Sequence, residues 1–293
     1  MISRNDACWC GSGKKWKKCH YPSSAPFTDV DVKKEYYNQY KIVLKDEHQI
    51  KKIEEACQLT AYILDELCKQ AKEGVTTNEL DQLSIKLHKQ AHAKPAPLNY
   101  GNPPFTKTIC TSLNEVVCHG IPDDRPLQQG DIMNIDVSSI LDGYYGDCSR
   151  MVTIGQIDEE KKRVVDTSYQ CLMDAIAICK PGVKIFEIAE VIEAIAKKNH
   201  CTVVYQFVGH GVGLAFHEPP QVPFHYNDYS IPMAPGMIFT IEPMINAGVA
   251  EAVIDSKDKW TARTVDGRPS AQWEHTILIT PSGHKILTLP PNA

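Results

Sequence analysis

Two aspartates lie on either side of a predicted turn. The dipeptide Asp142-Gly143 stands between two alternating runs rich in strand-forming residues, a pattern that is typical of a two-residue hairpin turn. With that turn, Asp136 pairs with Ser149, and Asp147 projects from the same face of the sheet as Asp136. Two neighbouring carboxylates repel each other, so one of them must hold a proton unless a cation lies between them. A three-residue loop would instead place the two aspartates on opposite faces.

Three further residues with metal-binding side chains lie in or beside other strand-like segments. His210 lies in a glycine-rich stretch, where the backbone can approach a ligand closely. Glu242 and Glu274 each interrupt a run of strand-forming residues. Singly, a strand glutamate usually faces solvent, and a histidine between glycines is as often a turn residue as a ligand. Together with Asp136 and Asp147 they form an oxygen-rich set with one imidazole, which suits a pair of divalent metals that activate water.

The first 20 residues hold a second group of metal-binding residues. Cys8, Cys10, Cys19 and His20 follow the spacing C-x-C-x8-C-H. Three thiols and one imidazole suit a closed tetrahedral zinc site, and so short a segment would hardly fold without its metal. The alternative is a disordered cysteine-rich tail. These 20 residues carry a net charge of +4 within a chain of net charge −5, which favours docking on an anionic partner, with a solvated basic turn as the alternative.

The composition is that of a globular protein without a membrane segment. Of the 293 residues, 43% are hydrophobic and 23% charged, and no run approaches the roughly 20 apolar residues of a membrane helix. The N-terminus lacks the apolar core of a secretion signal. The 11 cysteines are odd in number, and most stand alone in apolar surroundings, where reduced cysteine is a small buried hydrophobic residue. A cytoplasmic location and no membrane partner are therefore expected.

The elements that must position these residues are helices and strands in alternation. A stripe of apolar residues predicts a helix from about Ile50 to Ala71, ended by Gly74. The sequence after it predicts a second helix with Thr76 as its N-cap and Glu79 reaching back in a capping box. Strands are predicted at residues 131–140, 144–154, 202–208, 237–245 and 272–280.

One sequence pattern occurs twice, at an offset of 108 residues. Lys72-Glu-Gly-Val75, followed by Glu79-Leu80, is matched by Lys180-Pro-Gly-Val183, followed by Glu187-Ile188. In both copies a long amphipathic helix precedes the glycine and another helix follows it. The repetition predicts an α+β fold of two related halves, with helices outside and a sheet inside.

Several longer motifs resemble those of the type I methionine aminopeptidases. The resemblance runs from about residue 42 to the end of the chain, and the motifs occur in the family's order. They are PLNY (97–100), CTSLNEVVCHGIPD (110–123), GDIMNID (130–136), GYYGD (143–147), GHGVG (209–213), FHEPP (216–220), FTIEP (239–243) and QWEHT (272–276).

The resemblance implies a pita-bread fold, in which two pseudo-twofold α+β halves surround a curved antiparallel sheet. It implies an enzyme that removes the initiator methionine cotranslationally when the second residue is small, using a bridging hydroxide activated by metal. Its two divalent ions would be Co, Mn, Fe or Zn, with Asp147 and Glu274 bridging both. The implied metal ligands are Asp136, Asp147, His210, Glu242 and Glu274.

The same resemblance assigns roles to residues whose chemistry is otherwise ambiguous. His119 would contact the substrate near the scissile amide, and His217 would bind the substrate carbonyl and support the tetrahedral intermediate. Glu242 would accept the proton of the attacking water. Aromatic and sulfur-bearing walls suit a thioether, although ordinary core packing explains each such residue equally well. The implied methionine pocket consists of Tyr100, Cys110, Phe216 and Trp260.

The N-terminal segment resembles the SEC-C motif, a short zinc-binding module. The predicted organisation is therefore a SEC-C-like motif at 1–22, a linker at 23–41 and a pita-bread catalytic domain at 42–293. The expected partners are the N-termini of nascent polypeptides, and the ribosome or another anionic body through the basic motif. The family expectation for the oligomeric state is a monomer.

Three other interpretations remain open at the level of sequence. Proline-specific peptidases share the fold and ligands but usually carry a large additional N-terminal domain. Type II methionine aminopeptidases carry a helical insertion, for which the span from His217 to Glu242 leaves no room. A binding protein that had lost catalysis would have lost metal ligands, and this chain retains the complete set.

Overall fold

The structure is a computed structural model that describes residues 4–5, 8, 13–19 and 29–289. The chain forms two compact units, Met1–Lys41 and Ile42–Ala293. Across the described residues, no helix is both long and apolar enough to cross a membrane.

The first unit contains a short folded turn and one helix. The backbone N–H of Cys8 donates to the carbonyl of Lys14 (2.8 Å), and that of Lys17 donates to the carbonyl of Arg4 (3.0 Å). A 3₁₀ helix spans Trp16–Lys18, and helix α1 spans Asp29–Tyr40. Most of the stretch that we predict as a linker is therefore helical.

Within residues 42–289, the second unit contains four helices. They are α2 (Glu47–Gln70), α3 (Thr77–Gln90), α4 (Glu159–Ala177) and α5 (Ile185–Lys198). The capping box predicted for α3 is confirmed, since Glu79 N donates to Thr76 Oγ1 (3.1 Å) and Thr76 N donates to Glu79 Oε2 (2.7 Å). The cap satisfies backbone N–H groups that have no partner within the helix.

The strands of the second unit form four small sheets, and all their described pairings are antiparallel. The sheet orders are β1-β4-β2 with β5 also on β4, β13-β10-β6, β11-β12-β3, and β15-β14-β9-β7-β8. The strands are β1 (Lys94–Pro95), β2 (Cys110–Leu113), β3 (Val116–Cys118), β4 (Ile132–Leu141), β5 (Tyr144–Thr153), β6 (Thr202–Val203), β7 (Gly209–Gly211), β8 (Glu218–Val222), β9 (Ile238–Ile241), β10 (Met244–Asn246), β11 (Ala252–Ile254), β12 (Ala262–Thr264), β13 (Ser270–Gln272), β14 (His275–Thr280) and β15 (Gly283–Ile286).

The repeated sequence pattern marks two structurally equivalent turns. In the first half, the N–H of Gly74 donates to the carbonyl of Leu127 (2.8 Å). In the second half, Gly182 donates in the same way to Met233 (2.9 Å). Both glycines have a positive φ, 86° and 90°, a region in which glycine carries no Cβ penalty. The predicted relationship between the two halves is therefore present in the backbone.

The predicted hairpin is confirmed in both turn and register. Asp142 (φ 52°) and Gly143 (φ 85°) form a two-residue turn with both residues at positive φ, which matches the twist of the strands β4 and β5. Leu141 pairs with Tyr144 across the turn, and Asp136 pairs with Ser149. Helix α2 packs closely on this hairpin at Gly146, where a Cβ would lie only 2.6 Å from the backbone nitrogen of Cys57.

Three of the strand predictions are wrong in their extent. The strand predicted at 202–208 ends at Val203. The strands predicted at 237–245 and 272–280 are each broken into two shorter strands, with Glu242 in the first break and Glu274 in the second. In the first break, Pro243 has no N–H to continue a ladder. The two glutamates thus lie where regular pairing stops.

Candidate active site

The first two carboxylates come from the hairpin. Asp147 lies on β5 and is only 4% exposed. Its Oδ1 accepts a hydrogen bond from Ser138 Oγ (2.7 Å), and its backbone carbonyl accepts one from Thr276 Oγ1 (2.7 Å). Asp136, on β4, is paired in register with Ser149 and with Cys110 of β2. The hairpin register therefore places both side chains on the sheet face that lines a cavity.

Hydrogen bonds fix both the backbone and the ring of His210. Its backbone N–H donates to Thr240 Oγ1 (3.0 Å), and its Nδ1 lies 3.0 Å from the carbonyl of Gly211. Because a carbonyl only accepts, Nδ1 carries the proton and Nε2 keeps its lone pair. That Nε2 lies 3.7 Å from Asp147 Oδ2 and 3.6 Å from Glu242 Oε1. The hydrogen bond from Nδ1 to the Gly211 carbonyl orients the ring so that Nε2 can bind a metal ion.

The two glutamates at the strand breaks complete the set. Glu242 accepts hydrogen bonds from Thr240 Oγ1 to Oε1 (2.7 Å) and from Gln272 Nε2 to Oε2 (3.0 Å). Glu274 is buried, and its backbone N–H donates to the carbonyl of Ser149 (3.2 Å). That bond joins the break between β13 and β14 to the hairpin strand β5, so Glu274 lies beside Asp147.

The charges of this group fit divalent metal ions. Ligand atoms of Asp147, His210 and Glu274 lie within 4.8 Å of one another. Among the described residues, no lysine or arginine forms an ion pair with any of these four carboxylates, of which Asp147 and Glu274 are buried and the other two partly buried. Burial raises the pKa of Asp136 to about 7 and that of Glu242 to about 8, and burial together with neighbouring carboxylates holds the pKa values of Asp147 and Glu274 well above their usual range. Bound cations would replace the protons that these groups otherwise retain.

One cavity of about 660 Å³ collects the predicted residues of the second unit. Its walls also include residues that the sequence patterns did not single out, such as Phe105, Cys118 and Phe207. Their residue types are those of an ordinary core, so only their position reveals them. The predicted residues that line the cavity are Tyr100, Cys110, His119, Asp136, Asp147, His210, Phe216, His217, Glu242, Trp260 and Glu274.

Two histidines face the same cavity and are neutral at physiological pH. The ring of His217 stacks on Tyr100 (centroids 5.2 Å apart) and lies 4.1 Å from the ring of His210. The ring of His119 meets Phe207 and Trp260 edge to face (5.5 and 6.0 Å). Burial lowers the pKa values of both His119 and His217 to about 4. Each can therefore offer a neutral imidazole N–H to a bound molecule.

The apolar wall of the cavity is aromatic on several sides. Phe216 packs edge to face on Tyr100, with ring centroids 4.9 Å apart. Trp260 packs in the same way on Phe105 (5.3 Å) and is anchored by an Nε1 hydrogen bond to the carbonyl of Pro103 (2.9 Å). Such walls, together with the buried thiol of Cys110, suit an apolar or thioether side chain.

A buried ion pair supports the strand that follows His217. Lys45 Nζ lies 2.5 Å from Glu218 Oε1, and the Lys45 side chain is 1% exposed. Glu218 opens β8 opposite Gly211 of β7, so the pair stands one residue from both His217 and His210. The partners are 173 residues apart in sequence, so no local pattern could have indicated the contact.

Only two of the four predicted zinc ligands, Cys8 and Cys19, are among the described residues. Cys8 is buried and Cys19 half-buried. Cys10 and His20 lie outside the described residues, so the four-residue site stays a prediction.

Two family models match the chain. The model of metallopeptidase family M24 matches residues 51–281. The model of the SEC-C motif matches residues 4–22. The first match contains all five candidate metal ligands, and the second contains all four candidate zinc residues.

Individual relatives agree with the family model. The chain is 62% identical over 291 residues to the methionine aminopeptidase of Chlamydia muridarum, covering 99% of this chain and 100% of that protein. The crystal structure of methionine aminopeptidase from Rickettsia prowazekii has a TM-score of 0.82 at 42% identity, covering 85% of this chain and 100% of that one. These likenesses confirm the predicted pita-bread fold.

A more distant structure shares the fold alone. The prolidase from Pyrococcus furiosus has a TM-score of 0.69 at 21% identity, covering 90% of this chain and 69% of that one. The match leaves a larger share of the prolidase than of this chain uncovered, which agrees with the additional segment expected of proline-specific relatives. The stronger likeness lies with the methionine aminopeptidases.

Proposed function

The chain belongs to metallopeptidase family M24, and from that premise we propose that it hydrolyses the first peptide bond of polypeptides that begin with methionine. The observation that carries this proposal is the cavity itself, in which five candidate metal ligands, two of them buried and three partly buried, face an aromatic wall with a thiol. The first group can activate water, and the second can hold a thioether side chain. The 62% identity to a methionine aminopeptidase over the whole chain supports the same substrate.

We assign the enzyme to type I within its family. The loop between β8 and β9, residues 223–237, contains no helix. A helical insertion of the type II kind therefore has no place between His217 and Glu242. This observation supports the type I motifs of the sequence.

The metal chemistry would come from two divalent ions, which Asp136, Asp147, His210, Glu242 and Glu274 would hold. When bound, such a pair supplies Lewis acidity that lowers the pKa of water toward neutrality. Cobalt, manganese, iron and zinc all suit these ligands.

Glu242 is the residue best placed to accept a proton from the attacking water. Thr240 and Gln272 each donate a hydrogen bond to one of its oxygens, which fixes the plane of the carboxylate. As the water oxygen bonds to the substrate carbonyl carbon, its proton passes to Glu242. The same proton then moves to the leaving nitrogen when the C–N bond breaks, which releases free methionine and a new N-terminus.

The two neutral histidines would act on the substrate amide. His217, stacked on Tyr100, would donate its N–H to the carbonyl oxygen and stabilise the charge that develops there. His119, whose ring meets Trp260, would contact the amide nitrogen side. The ring walls of the cavity favour a small residue after methionine, because a bulky second side chain would meet them.

Release of free methionine from Met-Ala-Ser tests this function directly. We expect release by the native enzyme, loss after metal stripping, and recovery on addition of Mn²⁺ or Co²⁺. Met-Pro-Ala serves as a second substrate that separates methionine from proline preference. No release from Met-Ala-Ser, with metal demonstrably bound, would overturn the proposal in favour of a proline-directed peptidase or a binding protein.

For the N-terminal motif we propose one structural zinc ion bound by Cys8, Cys10, Cys19 and His20. The SEC-C match and the C-x-C-x8-C-H spacing support it. Its basic charge suits docking on the ribosome, where nascent N-termini emerge. A Cys8→Ser/Cys19→Ser variant is expected to lose one zinc equivalent by elemental analysis while retaining peptidase activity. Unchanged zinc content would refute the site.

We further propose that the enzyme works as a cytoplasmic monomer. Nascent polypeptides are available in that compartment, and the reduced state of the isolated cysteines fits it. Light scattering of the purified protein tests the monomer, and a measured mass of two chains would contradict it.

A further inference from the structure

Strand β11 is an exposed sheet edge with apolar side chains. It lies at the end of the sheet β11-β12-β3, paired on one side with β12. Its consecutive residues Val253 and Ile254 are 53% and 52% exposed. An exposed edge of this kind is a template for pairing with another chain, and proteins normally protect such edges with charge or proline.

The hydrogen bonds of the ladder show which backbone groups point outward. The N–H of Asp255 donates to the carbonyl of Thr261 (2.8 Å), and Val265 donates to Glu251 (3.4 Å). Because bonded residues alternate in an antiparallel ladder, Val253 faces β12 and its two neighbours face away from it. The outward groups of β11 are therefore those of Ala252 and Ile254.

This edge begins at the mouth of the active-site cavity. Gln206 is exposed and also lines the cavity, and its Nε2 donates to the outward carbonyl of Ala252 (2.8 Å). A side-chain amide thus occupies the position that an adjoining strand would take. Trp260, in the loop after β11, lines the same cavity. Within residues 29–289, no hydrogen bond from another residue reaches the outward groups of Ile254.

We propose that the edge of β11 binds the substrate polypeptide downstream of the scissile bond as an added strand. The N–H and C=O of Ile254 pair with the backbone of the substrate, and the side chains of Val253 and Ile254 flank it. Because Gln206 both lines the cavity and bonds to Ala252 of β11, a substrate chain that left the cavity past Gln206 would meet this edge. The inference rests on the proposed peptidase function and extends it to the residues beyond the second.

The chemistry of the edge suits the variety of the substrates. Backbone hydrogen bonds do not depend on side-chain identity, so many different polypeptides can pair with the same strand. Recognition requires only that the first residues of the substrate are extended and free of proline at the pairing position. A long, unfolded N-terminus therefore binds better than a tripeptide that ends inside the cavity.

The test compares substrates of two lengths in one variant. A tripeptide Met-Ala-Ser and a ten-residue peptide with the same start are hydrolysed by the native enzyme and by Ile254→Pro. Proline at 254 removes the outward N–H and blocks the edge. The hydrogen bonds to β12 remain, because Ile254 makes none of them. We expect a higher kcat/KM for the long peptide in the native enzyme. In Ile254→Pro that gain falls by about fivefold or more, the effect of one or two backbone hydrogen bonds.

Two matched controls separate binding from folding. Ile254→Ala keeps the N–H and should keep most of the gain, and tripeptide hydrolysis should be unchanged in both variants. If Ile254→Pro fails to fold, ten-residue peptides N-methylated at single downstream positions replace it, and one position should abolish the gain. An undiminished gain in Ile254→Pro, or with every N-methylated peptide, overturns the proposal. If the native enzyme releases no methionine even from the tripeptide, the peptidase function itself has failed.

Discussion

The two halves of the catalytic unit each place a carboxylate six residues after an equivalent glycine. In the first half Gly130 (φ 86°) precedes Asp136, and in the second Gly236 (φ 87°) precedes Glu242. The N–H groups of the two glycines make corresponding bonds, to the carbonyls of Ile154 (2.7 Å) and Ile279 (2.9 Å). The backbone frame around the two carboxylates is therefore the same.

The two halves differ in the backbone that carries the carboxylate, a continuous strand in the first and a strand break in the second. Asp136 lies inside the continuous strand β4, which pairs with β5 over its whole length. Glu242 comes directly after β9, where Pro243 interrupts pairing. One half thus supplies a rigid hairpin with two aspartates, and the other supplies two glutamates at strand breaks and His210 on the short strand β7. Duplication provides the frame, and the difference between the copies provides the site.

Removing the carboxylate of the second half should have the largest effect. Glu242→Ala removes a metal ligand and the proton acceptor, so we expect kcat on Met-Ala-Ser to fall by about 10²–10⁴-fold. The fold should remain, as judged by circular dichroism. Glu251→Ala, a control at an exposed glutamate outside the cavity, should leave kcat unchanged. Near-normal turnover in Glu242→Ala would contradict the role assigned to this half.

Breaking the buried ion pair between Lys45 and Glu218 should lower the free energy of unfolding substantially. Lys45→Met leaves the Glu218 carboxylate without its buried partner, and such losses typically cost about 3–5 kcal/mol. Lys285→Met breaks the exposed pair with Glu54 and serves as the control, with an expected cost below about 1 kcal/mol. Urea unfolding measures both. Equal costs in the two variants would show that burial of the pair is unimportant.

The equivalent glycines Gly130 and Gly236 should differ in how much stability they lose on substitution by alanine. Both have positive φ, so Gly130→Ala and Gly236→Ala each incur about 1–2 kcal/mol of backbone strain. At Gly236 the new Cβ would also lie 2.8 Å from the carbonyl oxygen of Lys45, whereas at Gly130 the nearest atom is 3.7 Å away. We expect Gly236→Ala to be the less stable by at least about 1 kcal/mol. Identical unfolding midpoints would mean that the contact with Lys45 relaxes freely.

The metal-free enzyme should lose stability as the pH rises from 6.5 to 8. Burial raises the folded-state pKa of Asp136 to about 7 and of Glu242 to about 8, so the folded state holds protons that the unfolded chain has released. The active-site histidines, with folded-state pKa values lowered to about 3 or 4, add a smaller opposing rise near pH 6.5, where the unfolded chain still binds protons at histidine. The expected loss is on the order of 1 kcal/mol, measured by urea unfolding after chelation. Saturating Mn²⁺ should remove this dependence, and a stability that rises with pH in the stripped enzyme would contradict it.

Local features of the molecule could be predicted from sequence because their causes are local. The α3 cap depends on Thr76 and Glu79, three residues apart, and the hairpin register depends on the two-residue turn at Asp142. The repeated glycine turns follow from the same short-range preferences. The strand breaks at Glu242 and Glu274 are not predicted from the sequence. A run of β-branched residues predicts one strand, whereas here the two ends of each run belong to different sheets.

By itself the sequence determined which side chains are the candidate metal ligands, the turn that aligns Asp136 with Asp147, and the duplicated frame. Each of these follows from residue type and spacing within a few positions along the chain. Only the tertiary structure decided that Lys45 supports Glu218, that Phe105 and Cys118 line the cavity, and that β11 offers a free edge at its mouth. These contacts join residues far apart in sequence, and they arise from how the two halves pack together, which no local pattern records.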